Sequence, residues 1–296
     1  MDMPSVGPVA ATVIVPTRDR PADLRRCLEA LACQTGAPPF EVIVVDDGSL
    51  VPVAPLVEEL GPRFRTLRRD GDGPARARNA GAADAAAVLL FTDDDTEPAA
   101  CWVAAACAHL EQHPDDLGVE GPVFTPAWDP LTSYSVHSHG PGAYLTCNVA
   151  YRRDAFLTAA GFYPGFPSAS GEDHDLAFRL LRQGRIGYAP GMEVVHHPRA
   201  LSFWGVVRRG LNAETDILLY ERHPERFPAR AYPFWLRSLY YDAKRWFHHA
   251  RSAEHGIHGD VKRGARMAVT ATVYLGCTAT GTARGMRARR RRLRQP

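Results

Sequence analysis

Short, unbroken apolar runs separated by polar turns dominate the N-terminal part of the chain, and the clearest cover residues 11–15, 40–45 and 87–91. A continuous run of this length is typical of a strand buried on both faces. Between the first two runs, apolar residues recur at helical spacing over 21–31, behind a proline that suits a helix start. Strands that alternate with helices predict an α/β fold with a parallel, doubly wound sheet.

The rest of the pattern predicts further helices and strands and one long loop. We predict strands at 64–67, 118–124, 145–151 and 193–195, helices at 75–81, 98–109, 152–160 and 176–183, and a loop at 126–142. Beyond residue 203 the pattern is helical, with aromatic and basic residues. Because a long loop in a compact domain is usually functional or mobile, we expect the 126–142 loop to contribute to function.

Three consecutive carboxylates, Asp93, Asp94 and Asp95, follow the third apolar run. Carboxylates crowded at the end of a buried strand repel one another and lose hydration, so a cation must compensate. A divalent metal that also holds phosphates is the commonest solution. The alternation of a strand places Asp93 and Asp95 on one side and Asp94 on the other. An acidic loop that caps the next helix is the alternative.

Two more polar groups follow the second run and the helix after it. Asp46 and Asp47 end the second strand, where an acid contacts ribose hydroxyls or a base in nucleotide-binding folds. An Asp-Gly turn is the alternative reading of that pair. Arg76 and Arg78 stand near a helix start, from which a guanidinium would reach a diphosphate, although isolated arginines are more often solvated. The Gly-Lys-Ser/Thr sequence of a P-loop is absent.

A second acidic cluster comprises Glu172, Asp173, His174 and Asp175, at the start of the helix predicted from Leu176. The helix dipole favours acids at this position, so capping accounts for some of them. Three acids and a histidine exceed what capping needs. The cluster is therefore a candidate site for acid–base chemistry.

Composition and charge narrow the classes of function. Of the 296 residues 45% are apolar and 23% charged, which is ordinary for a globular protein. The net charge of +2 conceals an arginine-rich stretch from Arg284 to Arg294, so the remainder is net acidic and is not expected to bind nucleic acid. Six cysteines without a C-x-x-C pair, no secretory signal and no apolar stretch of ~18 residues lead us to expect a cytoplasmic protein with free thiols.

Seven motifs, in this order, resemble those of inverting family 2 glycosyltransferases of the GT-A fold. They are Val13-Ile14-Val15-Pro16-Thr17, Val44-Val45-Asp46-Asp47-Gly48-Ser49, Ala77-Arg78-Asn79-Ala80-Gly81, Phe91-Thr92-Asp93-Asp94-Asp95, Asn148-Val149-Ala150-Tyr151-Arg152-Arg153, Gly171-Glu172-Asp173-His174-Asp175-Leu176 and Val194-Val195-His196. Each motif alone is weak, but the ordered set is specific and covers roughly residues 11–200.

The resemblance implies a GT-A type doubly wound, mostly parallel sheet flanked by helices, with a C-terminal helical extension. It implies an enzyme that moves a hexosyl or deoxyhexosyl group from a nucleoside-diphosphate sugar to an acceptor hydroxyl. Residues 1–115 are expected to bind the nucleotide sugar and 116–205 the acceptor, while 206–296 form the extension with its arginine-rich tail.

The resemblance also implies residue roles. Asp47 would contact the base or ribose, Asp95 would bind Mn²⁺ or Mg²⁺ with support from His196, and Asp173 would be the general base. From their places in the helix start, rather than from the resemblance, we expect Glu172 to contact neighbouring acceptor hydroxyls and Asp175 to cap or support the helix. In all, the residues expected to contact the substrate or the nucleotide are Pro16, Thr17, Arg18, Asp47, Arg78, Asp93, Asp94, Asn148 and Glu172.

One position departs from the family pattern, because Arg18 stands where relatives often place an aromatic residue that stacks on the base. A guanidinium plane can also stack on a base, so the identity of the nucleotide is left undecided.

Competing interpretations are a nucleotidyltransferase, a glycosidase with two carboxylates, and a catalytically silent binding module. We expect a glycan, a lipid-linked compound or a small molecule as acceptor. The tail is expected to make peripheral contact with the anionic inner face of a membrane, with a solubilising tail as the alternative.

Overall fold

The computed structural model describes residues 9–126, 133–166, 170–200, 202–211, 213–227 and 261–292. These residues fall into two compact units. The first contains residues 9–126, 135–164 and 172–197, and the second contains the described residues among 127–134, 165–171 and 198–296. Every predicted site residue lies in the first unit. The predicted segment boundaries after residues 115 and 205 stay predictions.

The strands are short and several are completely buried. In chain order they are β1 (Ala11–Thr17), β2 (Phe40–Asp47), β3 (Phe64–Arg69), β4 (Val88–Phe91), β5 (Thr96–Pro98), β6 (Asp116–Glu120), β7 (Val123–Phe124), β8 (Ser133–Tyr134), β9 (Val149–Arg152), β10 (Arg185–Tyr188), β11 (Val194–His196) and β12 (Arg199–Ala200). In the first unit, a seven-stranded sheet has the order β10-β6-β9-β4-β1-β2-β3. Neighbouring strands are parallel, except that β9 runs antiparallel to β4 and β6. The predicted mostly parallel sheet is therefore confirmed.

Helices cover both faces of this sheet. The helices are α1 (Pro21–Ala32), α2 (Ala54–Glu58), α3 (Pro74–Ala82), α4 (Trp102–Gln112), α5 (Arg153–Thr158), α6 (Glu172–Leu180), α7 (Phe203–Leu211), α8 (Ala213–Arg222) and α9 (Val261–Arg292), with a short 3₁₀ helix at Pro224–Arg226. Alternate side chains of β1 enter different cores. Val13 and Val15 pack in the core that α1 and α4 cover, whereas Ile14 packs in the core that α3, α5 and α6 cover. This alternation is why the apolar runs are unbroken.

Gly81, in the third of the seven motifs, has a packing role. A Cβ atom added there would lie 2.7 Å from Cγ2 of Ile14 and 3.1 Å from Cγ2 of Val45. Glycine therefore lets α3 approach the sheet closely. The approach also brings Arg78, one turn earlier on the same helix, towards the end of β4, where its side chain meets Asp93.

The predicted start of a helix at Pro98 is wrong. Thr96–Pro98 forms β5, which pairs antiparallel with β11, and the helix α4 begins only at Trp102. The proline suits a helix start, but Thr96 and Glu97 face His196 and Val195 across the strand pair, and this pairing keeps the backbone extended. The pairing also places His196 beside the carboxylates that precede β5.

Several other boundaries differ from the sequence-based expectation, and the strand predicted at 145–151 begins only at Val149. The strand predicted at 118–124 is divided at Gly121, where an added Cβ would lie 2.0 Å from the carbonyl oxygen of Met192. The helix predicted from Leu176 begins at Glu172, so the second acidic cluster forms its first turn. Side chains in that turn point in different directions, which separates the roles that neighbouring acids can take.

In the second unit, α9 packs against α7 and α8. An added Cβ at Gly281 would lie 2.6 Å from the carbonyl oxygen of Leu211, and one at Gly285 would lie 2.7 Å from Cδ1 of Ile217. The predicted C-terminal helical extension is confirmed over its described part, while residues 228–260 lie outside the described residues. In the described part of the chain, no helix combines the length and the apolar character that crossing a membrane requires.

Candidate active site

The carboxyl ends of β1, β2 and β4 lie side by side, because these strands are parallel neighbours in the sheet. Thr17 ends β1, Asp46 and Asp47 end β2, and the three aspartates follow β4. Polar groups that the sequence separates by dozens of positions therefore meet at one edge. This is the edge at which open α/β sheets bind ligands.

Asp93, Asp95 and His196 form a cluster whose candidate ligand atoms all lie within 4.8 Å of one another. Nε2 of His196 is 3.6 Å from Oδ1 of Asp95, and both side chains are almost completely buried. The backbone fixes this geometry, because the amide of His197 donates to the carbonyl oxygen of Asp95 at 3.0 Å. Two carboxylates and one imidazole can together hold a divalent cation, so the residues present fit a metal ion.

Asp94 points away from this cluster, as the predicted alternation requires. Its Oδ2 accepts a hydrogen bond from Thr17 Oγ1 at 2.8 Å, and its Oδ1 pairs with Nη1 of Arg20 at 3.0 Å. The carboxylate is buried. Asp94 therefore ties the end of β1 to the turn after β4. This position favours a supporting role over the predicted contact of Asp94 with nucleotide.

Arg78 joins the two acidic clusters. Its Nη2 donates to Oδ1 of Asp93 at 2.6 Å, and its Nη1 donates to Oε1 of Glu172 at 3.0 Å. Burial alone would lower the pKa of this guanidinium, but the two carboxylates more than offset that effect and raise the pKa. A permanently charged group thus stands between the clusters. If Arg78 contacts a diphosphate, as predicted, it would do so while keeping its bonds to Asp93 and Glu172.

Two neighbouring carboxyls in the first turn of α6 have different electrostatic environments. Burial, reinforced by the charge of Asp173, raises the pKa of Glu172 to about 7 against the opposing effect of Arg78. Burial also disfavours ionised Asp173, but the charge and hydrogen bonds of His174 outweigh it, so the pKa of Asp173 is lowered. The backbone N–H of His174 donates to Asp173 Oδ1 at 2.8 Å. At neutral pH Asp173 is ionised and able to accept a proton.

Asp175 has the supporting role that the sequence suggested. Its carboxylate is completely buried and forms an ion pair with Nη2 of Arg179 at 2.8 Å. Arg179 in turn donates to the carbonyl oxygens of Ala159 and Gly161. The pair fastens α6 to the end of α5.

The carboxylates at the end of β2 serve the neighbouring loops. Asp46 accepts from the backbone N–H of Ser49 at 2.8 Å and pairs with Nη1 of Arg68 at 2.5 Å. The two oxygens of Asp47 accept the backbone N–H groups of Asp72 and Gly73, each at 2.9 Å. Asp47 thereby fixes a loop at the edge of the site, and its predicted contact with base or ribose would use the remaining lone pairs.

Arg18 lies over the same loop. A Cβ atom at Gly71 would be 3.2 Å from Nη1 of Arg18, and the side chain of Arg18 is 57% exposed. An exposed guanidinium plane beside a fixed loop is available to a flat ligand such as a base. Pro16 stands inside β1, where its neighbour in β2 is Val45.

The side-chain amide of Asn148 forms hydrogen bonds within the protein through both its nitrogen and its oxygen. Its Nδ2 donates to the carbonyl oxygens of Pro122 and Met192 at 2.8 and 2.7 Å, and its Oδ1 accepts from Nε1 of Trp102 at 2.8 Å. The residue is buried. These bonds favour a structural role for Asn148 over the predicted substrate contact.

The sequence did not single out two side chains that touch the site. Arg20, which pairs with Asp94, follows the polar turn after β1, so its position was a usable signal. Ser135 lies 2.9 Å through its Oγ from Nδ1 of His196. It falls in the loop predicted at 126–142, but no motif marks it. The part of that loop at 127–132 lies outside the described residues.

Comparisons with known proteins show what this chain is similar to. Residues 12–135 match the family model described as Glycosyl transferase family 2. The chain is 28% identical to a hyaluronan synthase of Pasteurella multocida over 60% of this chain and 23% of that protein. It is 28% identical to a validoxylamine A glucosyltransferase of Streptomyces hygroscopicus subsp. limoneus over 71% of this chain and 62% of that protein. The chain thus spans less than two thirds of these relatives.

Solved structures share the fold. S. aureus TarS (residues 1–349) in complex with UDP has a TM-score of 0.54 at 18% identity, covering 95% of this chain and 92% of that one. GalNAc-T7 with UDP, GalNAc and Mn²⁺ has a TM-score of 0.52 at 18% identity, covering 77% of this chain and 52% of that one. The GT-A fold and the resemblance to family 2 glycosyltransferases are therefore confirmed.

Proposed function

We propose that this chain, whose residues 12–135 match the family 2 glycosyltransferase model, is an inverting, metal-dependent glycosyltransferase. It would transfer a sugar from a nucleoside-diphosphate sugar to an acceptor hydroxyl. The observation that carries the proposal is the position of Arg78, which bonds Asp93 with one Nη group and Glu172 with the other. One buried cation thereby holds a metal-type cluster and a base-type cluster in the same site.

The metal would be held by Asp95 and His196, with Asp93 close enough to join them. A divalent ion, when bound there, would neutralise charge on the diphosphate of the donor. Asp93 also contacts Arg78, so the chain itself keeps this carboxylate facing the cluster. Thr17 and Arg20 hold Asp94 on the other side, which leaves Asp93 and Asp95 to face the donor.

Asp173 is the proposed base. Its carboxylate is ionised at neutral pH, and His174 orients it through two contacts with Oδ1, at 2.8 and 3.0 Å. An ionised carboxylate within hydrogen-bond reach of the acceptor hydroxyl would take its proton as the oxygen attacks. Attack on the face opposite the departing diphosphate inverts the configuration of the sugar carbon.

The donor is proposed to be a UDP-sugar. Two structural neighbours were solved with UDP, and one relative is a glucosyltransferase, so UDP-glucose is the first donor to examine. Arg18 and the loop fixed by Asp47 are the proposed contacts for the base and ribose. The acceptor class stays a glycan, a lipid-linked compound or a small molecule.

Release of nucleoside diphosphate tests the proposed function. The chain should release UDP from a UDP-sugar in the presence of Mn²⁺ or Mg²⁺, faster with an acceptor than with water, and a chelator should stop the reaction. A nucleotidyltransferase would instead form or consume pyrophosphate. A silent binding module would bind the donor without releasing UDP from any sugar. Either result would contradict the proposal.

We also expect the chain to bind anionic membranes through α9. Arg284 and Arg289 pair with acids of α8, whereas Arg287, Arg290 and Arg291 are exposed. Each exposed arginine near an anionic surface contributes ~1 kcal/mol, screened by salt. When all three arginines are replaced by alanine, the affinity for phosphatidylserine vesicles at low salt should therefore fall by about 10²-fold. Co-sedimentation with the vesicles measures this affinity. Equal recovery with neutral and anionic vesicles would show that α9 does not bind membranes.

A further inference from the structure

The imidazole of His196 is held from both sides. On one side its Nε2 faces Oδ1 of Asp95 at 3.6 Å, and on the other its Nδ1 lies 2.9 Å from Oγ of Ser135. His196 and Ser135 are both buried, with 3% and 6% of their surfaces exposed. A buried ring with a neighbour at each nitrogen has a defined tautomer, and the neighbours decide which one.

The protons around Ser135 can be counted. Its hydroxyl carries one proton, and three acceptors lie within reach of it: the carbonyl oxygen of His196 at 3.1 Å, Oγ1 of Thr125 at 3.1 Å and, when it carries no proton, Nδ1 of His196 at 2.9 Å. Thr125 gives its own proton to the carbonyl oxygen of Val136 at 2.7 Å. Both oxygens are thus acceptors towards Ser135. When Oγ gives its proton to one of these two oxygens, its contact with Nδ1 is satisfied only if Nδ1 carries a proton and donates it to Oγ.

We infer that Ser135 is a positioning residue: by accepting the Nδ1 proton of His196, it directs Nε2 towards Asp95 as a metal ligand. The 3.6 Å between Nε2 and the Asp95 carboxylate is too long for a hydrogen bond, and both atoms would serve as ligands of a cation held at this cluster. Metal-binding histidines usually donate their other N–H to a fixed acceptor, which orients the ring. The inference rests on the proposed metal site and adds a residue to it.

Removing the hydroxyl of Ser135 should weaken metal binding. Losing such an acceptor typically costs 10–100-fold in metal affinity, so Ser135→Ala should bind Mn²⁺ in the presence of UDP about 10–100-fold more weakly than the unmodified chain. The readout is the free Mn²⁺ signal in an electron paramagnetic resonance titration, which does not depend on turnover. Ser135→Thr keeps the hydroxyl and should restore most of the affinity.

Thr125→Val is the matched control. It removes a hydroxyl from the same group of side chains, but the carbonyl oxygen of His196 still accepts the Ser135 proton. Its Mn²⁺ affinity should stay within about threefold of the unmodified chain, a margin set by the energy of one neutral hydrogen bond. Melting temperatures of all variants would show that each is folded. Unchanged Mn²⁺ affinity in Ser135→Ala would overturn the inference.

A second measurement separates this inference from the proposed function. In metal-free, ¹⁵N-labelled protein, the Nδ1 of His196 should be protonated, with its signals assigned by their loss in His196→Gln. If Nδ1 is protonated but the unmodified chain binds no Mn²⁺, the proposed metal dependence is wrong, and so is the inferred role of Nε2 as a ligand. The hydrogen bond between Ser135 and His196 would still be supported. If Nδ1 carries no proton, the inference about Ser135 is wrong whether or not the chain binds metal.

Discussion

Asp95→Asn is expected to lose metal-dependent binding of UDP and of the donor while the fold survives. Asp95 is buried beside His196, and a neutral amide oxygen is a much weaker ligand for a hard divalent ion than a carboxylate. The contacts that shape this turn use the backbone, because the amides of Thr96 and His197 donate to the carbonyl oxygens of Asp93 and Asp95. Removing one charge from a crowded acidic cluster also relieves repulsion.

Thermal unfolding with and without Mn²⁺ and UDP measures the effect. A ligand at ~100 times its dissociation constant stabilises the folded chain by ~2.7 kcal/mol, and Asp95→Asn should show none of the metal-dependent part of that gain. Asp84→Asn makes the same chemical change at an exposed position in the turn after α3, and it should respond as the unmodified chain does. A full metal-dependent shift in Asp95→Asn would show that Asp95 is not a ligand.

The sequence predicted the sheet and its ligand-binding edge because both depend on local patterns. Unbroken apolar runs identify β1, β2 and β4, and the acids that follow them must gather at one edge once the strands are parallel neighbours. Strand alternation also predicted the separation of Asp94 from Asp93 and Asp95. The three residues in fact lie beyond β4, where the backbone turns and the amide of Thr96 donates to the carbonyl oxygen of Asp93.

The bond from Arg78 to Glu172 was beyond the sequence because it joins residues 94 positions apart. Helical periodicity places Arg78 near the start of α3, but only the close approach of α3 at Gly81 and the early start of α6 bring the two side chains together. The misplacement of the helix start at Pro98 has a similar origin. Pro98 favours a helix start locally, but the pairing of β5 with β11 keeps the backbone extended there. The sequence around Pro98 does not encode this pairing.

The opposite pKa shifts of Glu172 and Asp173 raise the question of which residue is the base. A carboxyl with a pKa of about 7, as in Glu172, is well matched to proton transfer at neutral pH. Glu172 is nevertheless committed through Oε1 to Arg78, whereas Asp173 is oriented by its own neighbour His174. The pH dependence separates them. If Asp173 is the base, kcat/KM falls as the pH drops through its lowered pKa, below 3.8, whereas a Glu172 base would lose activity as the pH drops through about 7.

Asp173→Asn should therefore cut turnover by about 10²–10⁴-fold, the usual contribution of a general base, with little change in UDP affinity. UDP affinity should persist because the substitution leaves Asp93, Asp95 and His196 in place. The comparison variant Glu172→Gln removes a carboxylate that pairs with Arg78 but leaves Asp173 in place, so it should slow turnover much less than Asp173→Asn does. Turnover by the bound complex, measured at saturating donor, and UDP affinity, measured by calorimetry, distinguish the two patterns. Near-normal turnover in Asp173→Asn, together with a 10²-fold loss in Glu172→Gln, would assign the base to Glu172 instead.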